Sequence, residues 1–262
     1  MARPPTAPPS AAPSGPPGAS WRAVSLWSAL ALGLTLGVFG VHRALGGSGL
    51  HDGVLGPVAG WGPALAALIA LRIERRPLSD LGLGLGRWWG WPAGLLVPLG
   101  LLGATYGALW VSGLALLDVA GGGPPVDQAT AGLRVAERIV GVLAVSWLPS
   151  LPQALGEELG WRGWLVPRLA VGRSLPVVAL ASGLIWAGWH VPGVLFGDFL
   201  GEASVLWALA LFTGVAVGFG ALLAVLRLAT GSVWPAVLAH AAFNVLIYQA
   251  FEPLTADGVG GP

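Results

Sequence analysis

Long apolar runs alternate with short segments rich in Gly and Pro. The runs are Val24–Val41, Val54–Leu71, Pro92–Leu117, Ile139–Leu155, Leu175–Leu195, Ser204–Arg227 and Val233–Ala250. A helix needs roughly 20 apolar residues to cross a bilayer, whereas a membrane strand barrel shows segments of about ten residues with alternating polarity. Val205–Leu226 is apolar on every face, so the pattern predicts helices. The expected fold is all-α: a polytopic transmembrane helix bundle of about seven spans, with six or eight as the alternatives.

Prolines modify this expectation. Pro98 falls inside the third run and Pro149 and Pro152 inside the fourth, so a kink or break is expected at each. The fourth run also continues through Glu157 to Ala170. A straight helix over Ile139–Ala170 would be about 48 Å long at ~1.5 Å per residue, more than the roughly 30 Å hydrocarbon core. It must tilt, protrude or break. Residues 1–20 are rich in Pro, Ala, Ser and Gly and read as a disordered tail. The first run is longer than a signal-peptide core and has no A-x-A site after it, so it reads as a retained span.

Composition narrows the class further. Only 10% of the residues are charged and 55% are hydrophobic, with a mean hydropathy of +0.76, against about 25% charged residues in a soluble domain. Cys and Lys are both absent, and all 13 basic residues are Arg. This excludes a cysteine nucleophile, a disulfide framework, a Ser-Lys dyad and a P-loop lysine. A net charge of +1 without a dense Arg cluster gives no reason to expect a nucleic-acid partner. Arg72, Arg75 and Arg76 follow the second run, and positively charged loops stay cytoplasmic, which puts the amino terminus inside. With seven alternating spans, Arg3, Arg22, Arg87, Arg168, Arg173 and Arg227 join them, while Arg43, Arg134 and Arg138 fall outside.

An ionisable side chain within a span costs roughly 2.5–3.5 kcal/mol on insertion scales and is by default a functional candidate. The densest group is Gly156-Glu157-Glu158-Leu159-Gly160-Trp161-Arg162-Gly163. Glu158 and Arg162 are four residues apart in the favourable order for a helical ion pair, so Arg162 can neutralise one carboxylate and Glu157 is left for another partner. The bland alternative is a salt bridge at a helix end. Two further elements are Trp186-Ala187-Gly188-Trp189-His190 and His240-Ala241-Ala242-Phe243-Asn244. The second puts His240 and Asn244 on one helical face. A histidine in a span can also be a packed residue donating to a backbone carbonyl. An antiparallel pair turning near Gly172–Ser174 would bring His190 back to the level of Glu157; the depth of His240 matches less well and calls for a tilted or broken helix.

In this order across residues 157–244, the three motifs resemble the signature of the CAAX-protease and bacteriocin-processing enzymes, also called the Abi family. The resemblance covers the second half of the chain. Trp186 stands where the family commonly has Phe, a conservative departure. The implied organisation is a tail (1–20), N-terminal transmembrane helices (21–135), a catalytic core (136–250) and a flexible tail (251–262). The implied activity is an intramembrane endopeptidase acting on a membrane-associated or secreted peptide or protein within the lipid bilayer. Glu157 would act with His190 to activate water, His240 and Asn244 would stabilise the oxyanion, and Glu158 and Arg162 would fix Glu157. The cofactor stays open: Glu157, His190 and His240 could hold a zinc ion with water in the fourth position, or the site could use a metal-free, glutamate-activated water. A Gly/Ala-rich, all-Arg composition hints at GC-rich codons and hence at a bacterial inner or plasma membrane.

Other readings are weaker. Gly46-Gly47-Ser48-Gly49, near His42 and His51, copies a rhomboid serine motif but lies in a Gly-rich loop; no His-Glu-x-x-His occurs; Asp198 has no intramembrane partner and, with Glu202, reads as a loop charge. The alternatives to an enzyme are an inactive membrane scaffold or immunity protein, and a proton-coupled carrier, which would be expected to show an internal repeat that this sequence lacks.

Overall fold

A computed structural model describes residues 16–46, 58–120, 126–196 and 204–257. Its main helices are α1 (Trp21–Ala44), α2 (Gly62–Glu74), α3 (Gly90–Ser112), α4 (Gln128–Val145), α5 (Trp147–Glu158), α6 (Val166–Ala170), α7 (Leu175–Phe196), α8 (Val205–Thr230) and α9 (Trp234–Leu246). A π-helix, Leu159–Leu165, joins α5 to α6, and another, Ile247–Phe251, extends α9. The sheet among the described residues is one antiparallel pair, β1 (Ala115–Leu117) with β2 (Thr255–Asp257). The expected all-α bundle is therefore the fold.

Among the described residues, fewer helices than the seven expected qualify as spans by length and composition. Four helices (α1, α3, α7 and α8) are long and apolar enough to cross a membrane, and α4 with Trp147–Ala170 makes a fifth if that bent pair is one span. Within the described residues the second run forms α2, of 13 residues, about 20 Å at ~1.5 Å per residue and short of the roughly 30 Å hydrocarbon core, and the last run forms α9, of 13 residues, continued by the π-helix Ile247–Phe251. Of the two, α9 packs among other helices, whereas α2 buries one face and turns Leu65, Leu68, Ile69 and Ile73 outward. Nine of the 13 positions of α9 are buried, and it packs against α3, α5 and α8, while α2 lies on α1 and the first π-helix. Residues 47–57, including Ser48, His51 and the start of the second run, lie outside the described residues, as do Asp198 and Glu202.

The prolines act differently from one another. The chain bends by 63° between Gln128–Val145 and Trp147–Ala170, at Ser146. Pro149 explains the position: its ring crowds the carbonyl four residues back, Val145, which is the last residue of α4. Inside α5, Pro149 occupies the first turn, where a missing N–H costs nothing. By contrast α3 runs unbroken through Pro98 and α5 through Pro152, so the breaks expected there do not occur.

Small residues let the backbones approach closely, as helix interfaces in lipid require. A Cβ on Gly160 would collide with Pro63 of α2, and one on Gly183 of α7 would lie 2.6 Å from the Val217 Cα of α8. Outward faces carry exposed Leu96, Leu101, Leu133, Val140, Leu180, Leu184, Leu206 and Leu211, as a lipid-facing surface should. One end of the bundle is tied by polar contacts: Arg168 Nη2 to Glu74 Oε2 at 2.7 Å, Arg76 Nε to Asp80 Oδ2 at 2.7 Å, and Arg173 Nη2 to the Ala19 carbonyl at 3.1 Å. Ser20 caps α1, accepting from the Ala23 N–H. Residues 1–15 of the expected tail, and 258–262 of the other, lie outside the described residues, whereas Thr255–Asp257 pairs with β1.

Candidate active site

The site forms where three elements meet: the end of α5 with its π-helix, the second half of α7, and the middle of α9. Glu157, Glu158, Arg162 and His240 are 4%, 0%, 1% and 3% exposed, so all four polar groups need partners inside the protein. His190 and Asn244 are half-buried.

Glu158 Oε1 is the hub. It accepts from Arg162 Nη1 at 2.9 Å and from His240 Nδ1 at 2.8 Å. The i,i+4 ion pair read from the sequence is therefore present, and it holds His240 rather than Glu157, because the same carboxylate oxygen serves both partners. Arg162 Nη2 reaches the Gly220 carbonyl of α8 at 3.4 Å, and a Cβ on Gly220 would lie 3.2 Å from that nitrogen. Arg227 Nε donates to the Arg162 carbonyl at 2.9 Å. Arg227 had read as a charge at a span end; it instead ties the last turns of α8 to the first π-helix.

Glu157 faces the other way, about 100° around α5. Its Oε2 accepts from Trp186 Nε1 at 3.1 Å. On α7, the His190 Nδ1–H donates to the Trp186 carbonyl at 3.0 Å. A carbonyl can only accept, so Nδ1 carries a proton and, in the neutral ring, Nε2 carries the lone pair. The same logic at Glu158 assigns a proton to His240 Nδ1. Rings enclose both imidazoles: Trp189 at 4.6 Å and Phe212 at 4.7 Å from His190, and Trp186 at 5.4 Å from His240. Asn244 lies one turn beyond His240 on the same face and joins none of these hydrogen bonds.

The structure thus joins Glu158, Arg162 and His240 directly, with Glu157 and His190 both attached through Trp186. Although its expected depth matched less well, His240 reaches the end of α5 and bonds Glu158. From the sequence Trp186 is a conservative departure, yet its N–H is a donor that Phe lacks. Nothing local in the sequence marks Gly220 as an acceptor.

A multi-pass helical membrane protein with a buried acid and imidazole cluster is the class these features define. Residues 139–246 match the family model described as type II CAAX prenyl endopeptidase Rce1-like, a segment that holds all three motifs, so the resemblance to the CAAX-protease family is borne out there. No curated protein and no solved structure matches the chain.

Proposed function

We propose that the chain is an intramembrane endopeptidase that hydrolyses a peptide bond in a membrane-associated or secreted peptide. The observation that carries this reading is the 2.8 Å contact between His240 and Glu158. It joins motifs 82 residues apart in a dry interior, where unpaired polar groups would be costly.

Glu157 is the general base. Its Oε2 is engaged by Trp186, which leaves Oε1 to take a proton from water as the water oxygen bonds to the peptide carbonyl carbon. The His190 Nε2 lone pair orients that water, and the developing oxyanion accepts from the Asn244 amide and from the Nε2–H of a His240 imidazolium whose Nδ1–H is held by Glu158. Collapse breaks the C–N bond, and the proton held by Glu157 passes to the leaving nitrogen, giving an acid and an amine. Glu158 and Arg162 set the orientation of His240.

Zinc, if used, would need Glu157, His190 and His240 together as ligands. Among the described residues no group of three His, Asp or Glu side chains is gathered closely enough to hold a metal ion, so these steps run through the protein's own groups. The basic end of the bundle supports a cytoplasmic amino terminus, and a bacterial membrane peptide is the substrate class that suits the composition. The test is cleavage of a membrane peptide library by purified protein, with metal analysis of the same sample. Glu157→Ala, His190→Ala and His240→Ala should each abolish cleavage at normal expression; undiminished activity in all three discards the mechanism.

A further inference from the structure

Trp186 touches every ionisable member of the site except Glu158. Its Nε1–H donates to Glu157 Oε2 at 3.1 Å, and its carbonyl accepts from His190 Nδ1 at 3.0 Å. Its ring lies 4.7 Å below the Arg162 guanidinium carbon and meets the His240 ring edge-on at 5.4 Å. The indole is itself buried. A cation over the ring face draws electron density from the indole, which makes its N–H a stronger donor. Arg162 therefore acts on both carboxylates, pairing directly with Glu158 and polarising the donor that binds Glu157.

We propose that Trp186 is a positioning residue: its indole N–H fixes the Glu157 carboxylate so that the opposite oxygen faces the attacking water, while its carbonyl fixes the protonated edge of His190. This assignment rests on the endopeptidase reading and adds a residue to it. Phenylalanine could fill the same space and keep the contacts with Arg162 and His240, but it has no N–H to donate. Glu157 would then rotate freely about its terminal torsion, which is broad and unrestrained without a partner.

Two measurements on the full-length protein in detergent test this. In ¹⁵N-indole spectra, the Trp186 resonance, identified by its loss in Trp186→Phe, should move when Glu157→Ala removes the acceptor; an unmoved resonance overturns the bond. The kinetic probe is a dye-quencher peptide selected from a library because Glu157→Ala abolishes its cleavage. Trp186→Phe, and replacement of Trp186 by 3-benzothienylalanine, which has the shape of tryptophan with sulfur in place of N–H, should lower kcat about tenfold with KM unchanged. That factor corresponds to ~1.4 kcal/mol, at the low end for a hydrogen bond to a charged acceptor. Trp161→Phe is the folding control, because the buried Trp161 Nε1 has no hydrogen-bond partner among the described residues, and it should keep full kcat. Full kcat in both Trp186 variants overturns the positioning role while leaving the endopeptidase reading intact. If no peptide is cleaved in a Glu157-dependent way, the endopeptidase reading fails and the positioning role fails with it.

Discussion

His240 Nδ1 lies 2.8 Å from Glu158 Oε1, the same oxygen that accepts from Arg162 Nη1 at 2.9 Å. One carboxylate oxygen thus holds a guanidinium from its own helical path and an imidazole from α9. On the proposed mechanism that atom serves both stability and the orientation of His240, and the two can be separated.

Removing Glu158 strands a buried cation. Arg162 is 1% exposed, and among the described residues its remaining side-chain hydrogen bond is a 3.4 Å contact to the Gly220 carbonyl. Breaking a buried pair on one side costs about 3–5 kcal/mol, whereas replacing both partners by apolar residues of similar volume is often neutral. Glu158→Leu should therefore sharply lower the thermal unfolding temperature in detergent, and Glu158→Leu with Arg162→Met should restore most of it. The double variant should still be inactive, because His240 loses the acceptor that orients it. Restored cleavage alongside restored stability would show that the pair serves packing alone.

Backbone contact between the first π-helix and α2 sets a second expectation. A Cβ on Gly160 meets the Cβ and carbonyl of Pro63, with rigid backbone on both sides. Overpacking of this kind costs about 1–3 kcal/mol. Gly160→Ala should lower the unfolding temperature and reduce activity, since Gly160 is two residues from Glu158. Gly103→Ala, within α3 and with nothing within 4 Å of the added carbon, should leave both unchanged. Equal behaviour of the two variants would mean that α2 does not rest on the π-helix.

The helical class and the polar cluster were legible because charge is scarce in this chain and its few intramembrane acids and imidazoles stand out. The Glu158–Arg162 pair could be read from i,i+4 spacing alone. What the pattern could not show was the depth of each apolar run. A run that crosses the bilayer and one that packs as a shorter helix within or along the bundle have the same composition, so α2 and α9 read as spans. Partner choice was also hidden. Spacing on one helix places Glu157 and Glu158 on different faces, but which neighbour each meets depends on α7 and α9, and so the roles of Trp186 and Gly220 appear only in three dimensions.

Asp127 caps α4 outside the membrane-spanning segment. Its Oδ1 accepts from the Thr130 N–H at 2.8 Å and its Oδ2 from the Thr130 hydroxyl at 3.1 Å. These hydrogen bonds, the backbone one foremost, hold the carboxyl below its ordinary range. A folded pKa below the unfolded value of roughly 3.9 means that the cap contributes fully above that value and is lost as pH falls through the folded pKa. Hydrogen exchange at the Thr130 amide should accordingly stay slow from neutral pH down to roughly pH 4 and quicken below it, relative to intrinsic rates. Asp127→Asn keeps a good cap without the titration, so its protection should be flat over the same range. The same acid-induced loss in Asp127→Asn would assign the effect to another group.

The bend at Ser146 tests whether one proline sets the geometry that carries α5 into the bundle. Along α4 only Val142 is buried, so little packing fixes its direction, and the 63° angle falls to the ring of Pro149 against the Val145 carbonyl. Pro149→Ala removes that clash and restores an N–H for the same carbonyl. The chain has no cysteine, so spin labels at Leu133→Cys and Val171→Cys, both exposed positions, report one distance without further substitution. Straightening should lengthen it, by up to about 8 Å at ~1.5 Å per residue, and should reduce cleavage because Glu157 and Glu158 move with α5. Pro152→Ala lies within an unbroken helix and should leave the distance unchanged. A Pro149→Ala protein with the original distance would mean that contacts of α4 with α9 and the segment after it, rather than the ring, impose the bend.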